Sequence, residues 1–409
     1  MSGERHVLSN GLTVAVDPLA GAESVSLGLY ASVGSRSEPA RLGGLAHLVE
    51  HMVFKGAGGR DTRALAEVIE DVGGSLNAWT ARDQTVFHGR ALARDLPLVA
   101  ELIADLVRRP HFDEAHLERE KQVILSELGE SVDSPDDLVH DHLFEAAFDR
   151  QPVGRPVLGT EATVRAVTRT DCCDWLEQQF APVRLVLAAS GKVDPEQVTK
   201  LAEGLLGDLT PREVPAVEPA HFTGGVRNDR RSFEQAHWCL AFEGSAASDP
   251  GNPALALFVQ ALGGGTSSRL FQELREERGL AYSIYAWSHA FADTGIVGIG
   301  CAAERRQAAE SVQLARDVLG ATADGLTQSE LNRARAQIEA GLLMSFETAQ
   351  GRADHMARSI EVFGRIVPLD EMLGQIRDVS VESARRSGAA LLDGPVAVAS
   401  VGARLALAA

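Results

Sequence analysis

Residues 44–56 have the sequence GLAHLVEHMVFKG, which lies in a helix predicted over residues 42–54. Apolar residues recur there at helical spacing, and Gly56 ends the pattern. His47 and His51 are four residues apart, so both imidazole rings project from one face of this helix. Two neutral imidazoles on adjacent turns can hold a zinc ion and leave room for a third ligand and a water. The stretch therefore predicts a metal site.

Glu50 lies three residues after His47 and shares the same helical face. Zinc lowers the pKa of a bound water, and a nearby carboxylate can take the water's proton during attack on a carbonyl. The order His-x-x-Glu-His is the inverse of the more familiar His-Glu-x-x-His arrangement. Histidine makes up 12 of the 409 residues, and composition alone would produce this pattern in roughly a few per cent of such chains. The five residues therefore suggest a hydrolytic metal site without deciding it.

A second helix, predicted over residues 113–130, offers a further ligand. Glu120 and Glu127 are seven residues apart and share a face with apolar residues such as Ile124. A carboxylate among apolar side chains needs a partner or a metal, because burying it alone is costly. The alternative is an acid-rich, solvated helix, since Glu118 and other acidic residues lie nearby. Spacing alone does not select the third ligand.

The order of predicted elements repeats along the chain. A hairpin around Asn10-Gly11 is followed by strands, two helices, a pair of strands and two more helices. A stretch rich in proline and glycine at 210–225 then precedes a similar series. We predict an α+β fold of two similar halves, residues 1–210 and 225–409. Each half is a mainly antiparallel sheet with helices packed on it, and the stretch 210–225 joins them.

Composition disfavours several classes of partner. The 39 basic and 57 acidic residues give a net charge of −18, which disfavours nucleic acid and anionic membranes and favours basic peptides. The four cysteines have no spacing typical of a disulfide framework. The start of the sequence has no signal-peptide pattern, and no apolar run is long enough for a membrane helix. We expect a protein of the cytoplasm.

Together these motifs resemble the pitrilysin or insulinase-type inverzincins, a family that includes the mitochondrial processing peptidases, and the resemblance covers most of the chain. GLAHLVEHMVFKG looks like the zinc helix of that family, and LEREKQVILSELGE looks like its third-ligand helix. The resemblance implies that His47, His51 and Glu127 bind one zinc ion per chain. It also implies that Glu50 is the general base and that Glu120 supports the site.

The stretch GGSLNAWTARDQTVF at residues 73–87 is similar to the substrate-binding edge strand of the family. The resemblance implies that Asn77 and Ala78 contact the backbone of a peptide held as an added strand. On the residues alone, an ordinary hairpin with its turn at Arg82-Asp83 is the favoured interpretation.

The stretch GGGTSSRLFQELREERGLAYSIYA at residues 263–286 is similar to the glycine-rich loop and the Arg/Tyr pair of the family. The resemblance implies that Arg275 and Tyr282 hold the substrate and stabilise the oxyanion. Without it, Arg275 would be interpreted as a surface residue and Tyr282 as a core residue.

Short members of this family pair two chains around a closed chamber, with the zinc half of one facing the Arg/Tyr half of the other. The resemblance therefore implies a zinc metalloendopeptidase that cuts unfolded peptides as a homodimer. One alternative is a dedicated leader or presequence processing peptidase that works with a homologous partner subunit. Another is a non-catalytic structural subunit. Both sets of site residues are present in one chain, which favours the homodimer, and the complete zinc motif argues against the structural subunit.

Overall fold

The computed structural model describes residues 3–405, which group by their contacts into two compact units. The first unit takes the residues up to Leu128, Pro156–Val217 and Leu343–Leu369. The second takes Gly129–Arg155, Glu218–Leu342 and the described residues from Asp370 onward. The predicted ranges 1–210 and 225–409 stay a prediction. The contacts add that each unit includes a segment taken from the other half of the sequence.

Thirteen strands are present among the described residues. They are β1 Glu4–Val7, β2 Thr13–Pro18, β3 Ser24–Ala31, β4 Gly56–Ala57, β5 Arg60–Asp61, β6 Ser75–Thr80, β7 Thr85–Leu92, β8 Leu185–Gly191, β9 Gly225–Asp229, β10 Ala236–Gly244, β11 Ala281–Ala290, β12 Gly295–Ala303 and β13 Val396–Val401.

Fourteen α-helices accompany these strands in the described part of the chain. They are α1 Leu45–Val53, α2 Thr62–Glu70, α3 Leu96–Arg108, α4 Glu114–Asp133, α5 Pro135–Ala147, α6 Glu161–Ala166, α7 Arg169–Gln179, α8 Pro195–Leu206, α9 Asn252–Gly263, α10 Ala308–Gly325, α11 Gln328–Phe346, α12 Ala349–Phe363, α13 Leu369–Arg377 and α14 Val381–Asp393. Across residues 3–405, none of these helices has the length and apolar character needed to span a membrane.

The first unit is built on a six-stranded sheet in the order β1-β2-β8-β3-β7-β6. The pairings are antiparallel except for β2 with β8, which run parallel. The predicted hairpin at Asn10-Gly11 joins β1 to β2, and Gly11 has a φ of 95°, which favours glycine. Strand β6 lies at the end of this sheet.

The second unit is built on a five-stranded sheet in the order β11-β12-β10-β13-β9. Its pairings are antiparallel except for β13 with β9, which run parallel. Both sheets are thus mainly antiparallel and carry helices, which confirms the predicted α+β class. The predicted stretch 210–225 has no regular structure until β9 begins at Gly225.

Helices cover both faces of the first sheet. On one face, α1 and α3 bury apolar side chains such as Met52 and Ile103 in the main core with Phe87. On the other face, Met356 and neighbouring residues of α12 pack against the strands in a separate apolar cluster that includes Val86. A sheet covered on both faces holds its strands firmly. The edge strand β6, which contacts α1, is therefore fixed relative to that helix.

A layer of buried polar contacts sets where α12 lies on the sheet. The Tyr30 hydroxyl donates to Oδ1 of Asp354 at 2.5 Å, and Nε2 of Gln350 donates to the same oxygen at 2.8 Å. Ser26 Oγ donates to the side-chain oxygen of Gln350 at 2.5 Å. Burial, together with the Asp354 carboxylate, raises the pKa of Tyr30 above its ordinary value. The contacts of Tyr30 and Ser26 with α12 join residues 324 positions apart, so no local sequence pattern predicts them.

We predict that Tyr30→Phe destabilises the protein, because it leaves the Asp354 carboxylate without the hydroxyl donor. The expected loss is about 1–3 kcal/mol in the free energy of unfolding, measured by urea denaturation. Tyr282→Phe makes the same chemical change at a side chain that is 71% exposed, and it should change stability by no more than about 0.5 kcal/mol. Equal effects of the two substitutions would contradict the role given to this polar layer.

Candidate active site

Three metal-ligand side chains of the first unit converge at α1. His47 and His51 lie on adjacent turns of α1, with ring centroids 4.6 Å apart. The Glu127 carboxylate of α4 lies 3.9 Å from Nε2 of His47 and 3.8 Å from Nε2 of His51. One ligand atom of each residue lies within 4.8 Å of the others. Two imidazole nitrogens and one carboxylate oxygen form the donor set of catalytic zinc sites, so these residues fit zinc.

Burial lowers the pKa of His47 and raises the pKa of Glu50, and both shifts suit a hydrolytic zinc site. The pKa of His47 is lowered to about 4, first by burial and then by His51, so its ring is neutral at pH 7. The pKa of Glu50 is raised, chiefly by burial. Its Oε2 is buried without a hydrogen-bond partner in the structure as described. Glu50 is thus a carboxylate with increased proton affinity beside the ligands.

Glu120 contacts Nδ1 of His51, the ring nitrogen that does not face Glu127. It is only 7% exposed, and its Oε2 lies 3.3 Å from Nδ1 of His51. Its other oxygen, Oε1, lies 3.0 Å from Nζ of Lys55. A carboxylate that accepts a hydrogen bond from Nδ1–H keeps the proton on Nδ1 and leaves the Nε2 lone pair of His51, on the side of Glu127, free to bind a metal.

Lys55 is a residue that the sequence reasoning missed. It lies four positions after His51, just beyond the end of α1 at Val53. The signal was present, because a glutamate predicted to lie among apolar residues needs a cation or another partner. Lys55 is four positions after His51, one helical turn further along, so it could have been predicted to be the cation beside that glutamate.

Asn77 and Ala78 lie on β6, at the end of the first sheet. Among residues 3–405 no strand pairs with the outer side of β6, which leaves a free edge. Ala78 is 8% exposed and lies in the same apolar core as α1, whereas Asn77 is exposed. Strand β6 is also one arm of a hairpin with β7, as the interpretation from the residues alone predicts. A strand can form this hairpin on one side and offer its other edge to a peptide, so the hairpin and the substrate-binding interpretations of residues 73–87 are compatible.

Arg275 and Tyr282 come together in the second unit. Arg275 lies in a π-helical segment, Phe271–Glu277. Its Cζ atom lies 4.8 Å from the ring centroid of Phe271 and 6.0 Å from that of Tyr282. Tyr282 is the second residue of β11 and is 71% exposed. Its interpretation as a core residue is therefore wrong.

The sequence matches known proteins along most of its length. The family described as "Insulinase (Peptidase family M16)" matches residues 13–161, and "Peptidase M16 inactive domain" matches residues 166–338. An "uncharacterized zinc protease" of Mycobacterium leprae is 35% identical over 409 residues, covering 96% of this chain and 92% of that protein. Another of Bacillus subtilis is 30% identical, covering 93% of each. The chain belongs to peptidase family M16.

Solved structures show the same fold as this M16 chain. A protease from Helicobacter pylori superposes with a TM-score of 0.89 at 20% identity, covering 98% of this chain and 99% of the other. A protein from Pseudomonas fluorescens described as "peptidase M16 inactive domain" gives 0.90 at 21% identity, covering 99% of each. The chain is a short, two-domain M16 protein.

The two M16 matches divide the candidate residues between them. The first contains His47, Glu50, His51 and Glu127, and the second contains Arg275 and Tyr282. The second match has no His-x-x-Glu-His of its own. The metal-ligand chemistry of this M16 chain is therefore concentrated in its first unit.

We predict that Glu127→Gln abolishes tight zinc binding by this M16 chain, because the amide removes the anionic ligand. Affinity should fall by more than about 100-fold, since losing a residue that only hydrogen-bonds to a metal ligand often costs about 10- to 100-fold. The measurement is metal content after dialysis, with titration calorimetry for affinity. Glu130→Gln, an exposed glutamate on the same helix, is the matched control and should keep one zinc per chain. Retention of zinc by Glu127→Gln would rule out this ligand set.

Proposed function

We propose that this protein is a zinc endopeptidase that hydrolyses unfolded peptides. The observation that carries the proposal is the convergence of His47, His51 and Glu127 beside the partly buried carboxylate of Glu50. Zinc, when bound, supplies a Lewis acid that polarises a carbonyl and makes water more acidic. Membership of family M16 and the zinc-protease names of the relatives support the same reaction.

In this proposal Glu50 moves the proton. It takes a proton from the attacking water as the new C–O bond forms, and it delivers that proton to the amide nitrogen as the C–N bond breaks. Burial raises the pKa of Glu50, which favours uptake of a proton by its carboxylate. His51 is kept in the required orientation by Glu120, which is in turn paired with Lys55.

The free edge of β6 supports binding of an extended peptide. A peptide that pairs with Asn77 and Ala78 as an added strand would form backbone hydrogen bonds, which are independent of the peptide's sequence. Only an unfolded segment offers a free backbone for this pairing. The net charge of −18 favours basic peptides among such substrates. The cytoplasmic location stays a prediction.

Arg275 and Tyr282 complete the proposal. An exposed phenol beside a guanidinium can hold a peptide carbonyl and donate to the oxyanion that forms on it. We place this pair against the zinc half of a second copy of the chain, so that the active protein is a homodimer.

We predict that Glu50→Gln reduces peptide cleavage by about 100- to 10,000-fold, because the amide cannot accept the proton. Bound zinc should be retained, since Glu50 is outside the proposed ligand set. The measurement is cleavage of a library of unstructured peptides, followed by mass spectrometry, with Glu130→Gln as the control of unchanged activity. Equal cleavage by Glu50→Gln and the wild type would exclude Glu50 as the base.

Co-expression of Glu50→Gln with Tyr282→Phe tests the homodimer. Each variant alone should be nearly inactive. A mixed dimer has one intact pairing of zinc half and Arg/Tyr half, so random assortment should restore about a quarter of the wild-type rate. No restoration would contradict action across two chains.

A purified wild-type chain that holds zinc but stays monomeric and inactive would favour a homologous partner subunit instead.

A further inference from the structure

Glu38 is a buried carboxylate at the start of α1, and it is 4% exposed. Its Oε1 accepts a hydrogen bond from the backbone N–H of Ala46 at 2.7 Å, and its Oε2 accepts one from the N–H of Gly44 at 3.0 Å. The first N–H groups of a helix have no acceptor within the helix itself. The residue at the helix start, Gly44, has no side chain to supply one. Glu38 therefore caps α1 from outside the helix.

This cap acts next to a metal ligand. His47 directly follows Ala46 in the first turn of α1. The helix has only nine residues and is preceded by a glycine, Gly44, with a φ of 89°, so its first turn has little stability of its own. A carboxylate at the positive end of the helix dipole stabilises that turn. Without it, His47 would lose its fixed position relative to His51, one turn further along.

The segment that carries Glu38 is itself anchored. The N–H groups of Ser35 and Arg36 donate to the carbonyl oxygens of Ala81 and Arg82, at 3.0 and 2.9 Å. A Cβ atom at Gly34 would lie 2.2 Å from the Ala81 oxygen, so this close approach requires glycine. Residues 81 and 82 form the turn between β6 and β7. The carboxylate thus reaches α1 from a segment that is fixed to the hairpin of the edge strand.

We infer that Glu38 is a positioning residue of the metal site. It holds the first turn of α1, and through that turn it places Nε2 of His47 opposite Nε2 of His51 and the Glu127 carboxylate. The inference rests on the proposed function, because it requires that these three residues bind zinc.

The test is the zinc affinity of the purified full-length chain, measured by competition with a chromophoric chelator. Glu38→Gln has nearly the same size but one acceptor oxygen, and its NH₂ group faces a backbone N–H that needs an acceptor. We expect zinc affinity to fall about 10- to 100-fold, which is the usual effect of losing a residue that orients a metal ligand without binding the metal. Asp61→Ala is the control, because alanine removes the capping oxygen, whereas asparagine would keep it. Asp61 caps α2 in the same unit by accepting from the N–H of Ala64, and it has no contact with the metal ligands.

Circular dichroism at the assay temperature establishes that each variant is folded. An unchanged zinc affinity in Glu38→Gln would overturn the inference. An equal loss in Asp61→Ala would also overturn it, because any weakened helix cap would then have the same effect. If Glu38→Gln does not fold, Glu38→Asp serves instead: its shorter side chain should lower the affinity, and wild-type affinity would contradict the inference. A wild-type chain that binds no zinc would instead refute the proposed function.

Discussion

Two buried carboxylates and one partly buried carboxylate lie around α1, and the rest of the site depends on how each of these charges is compensated. Burying a carboxylate without a partner is costly, so each one must find donors or change its protonation. Glu38 takes two backbone N–H groups of the helix, and Glu120 takes His51 and Lys55. Glu50 keeps one buried oxygen without a hydrogen-bond partner, and its pKa is raised. The two paired carboxylates hold the metal helix in place, and the incompletely paired one is available for proton transfer.

The same first unit holds the metal helix next to the edge strand. Strand β6 lies at the end of a sheet whose two faces are covered, by α1 and α3 on one side and by α12 on the other. The turn after β6 is bonded to the segment that ends at Glu38. A peptide added to β6 would therefore meet a strand whose position relative to the metal ligands is already fixed. Preorganisation of this kind lowers the cost of bringing the scissile bond to the metal.

Much of the fold and part of the site were predictable from the sequence because they depend on short-range patterns. The i, i+4 spacing fixes both histidines on one face of α1, and the Asn10-Gly11 turn fixes the first hairpin. The elements that escaped prediction include α5 and α12. Their places depend on partners far along the chain, such as the contact of α12 with Tyr30.

The sequence by itself therefore determined the zinc-type motif of His47, Glu50 and His51, the α+β class and the acidic character of the chain. The tertiary structure decided between Glu120 and Glu127, which the seven-residue spacing places on one face of α4. Glu120 is turned inward to His51 Nδ1 and Lys55, whereas the half-exposed Glu127 faces the Nε2 atoms of both histidines. It also decided that Tyr282 is exposed beside Arg275. Periodicity specifies which face of an element a side chain occupies, but only packing between distant segments specifies which atoms that side chain meets.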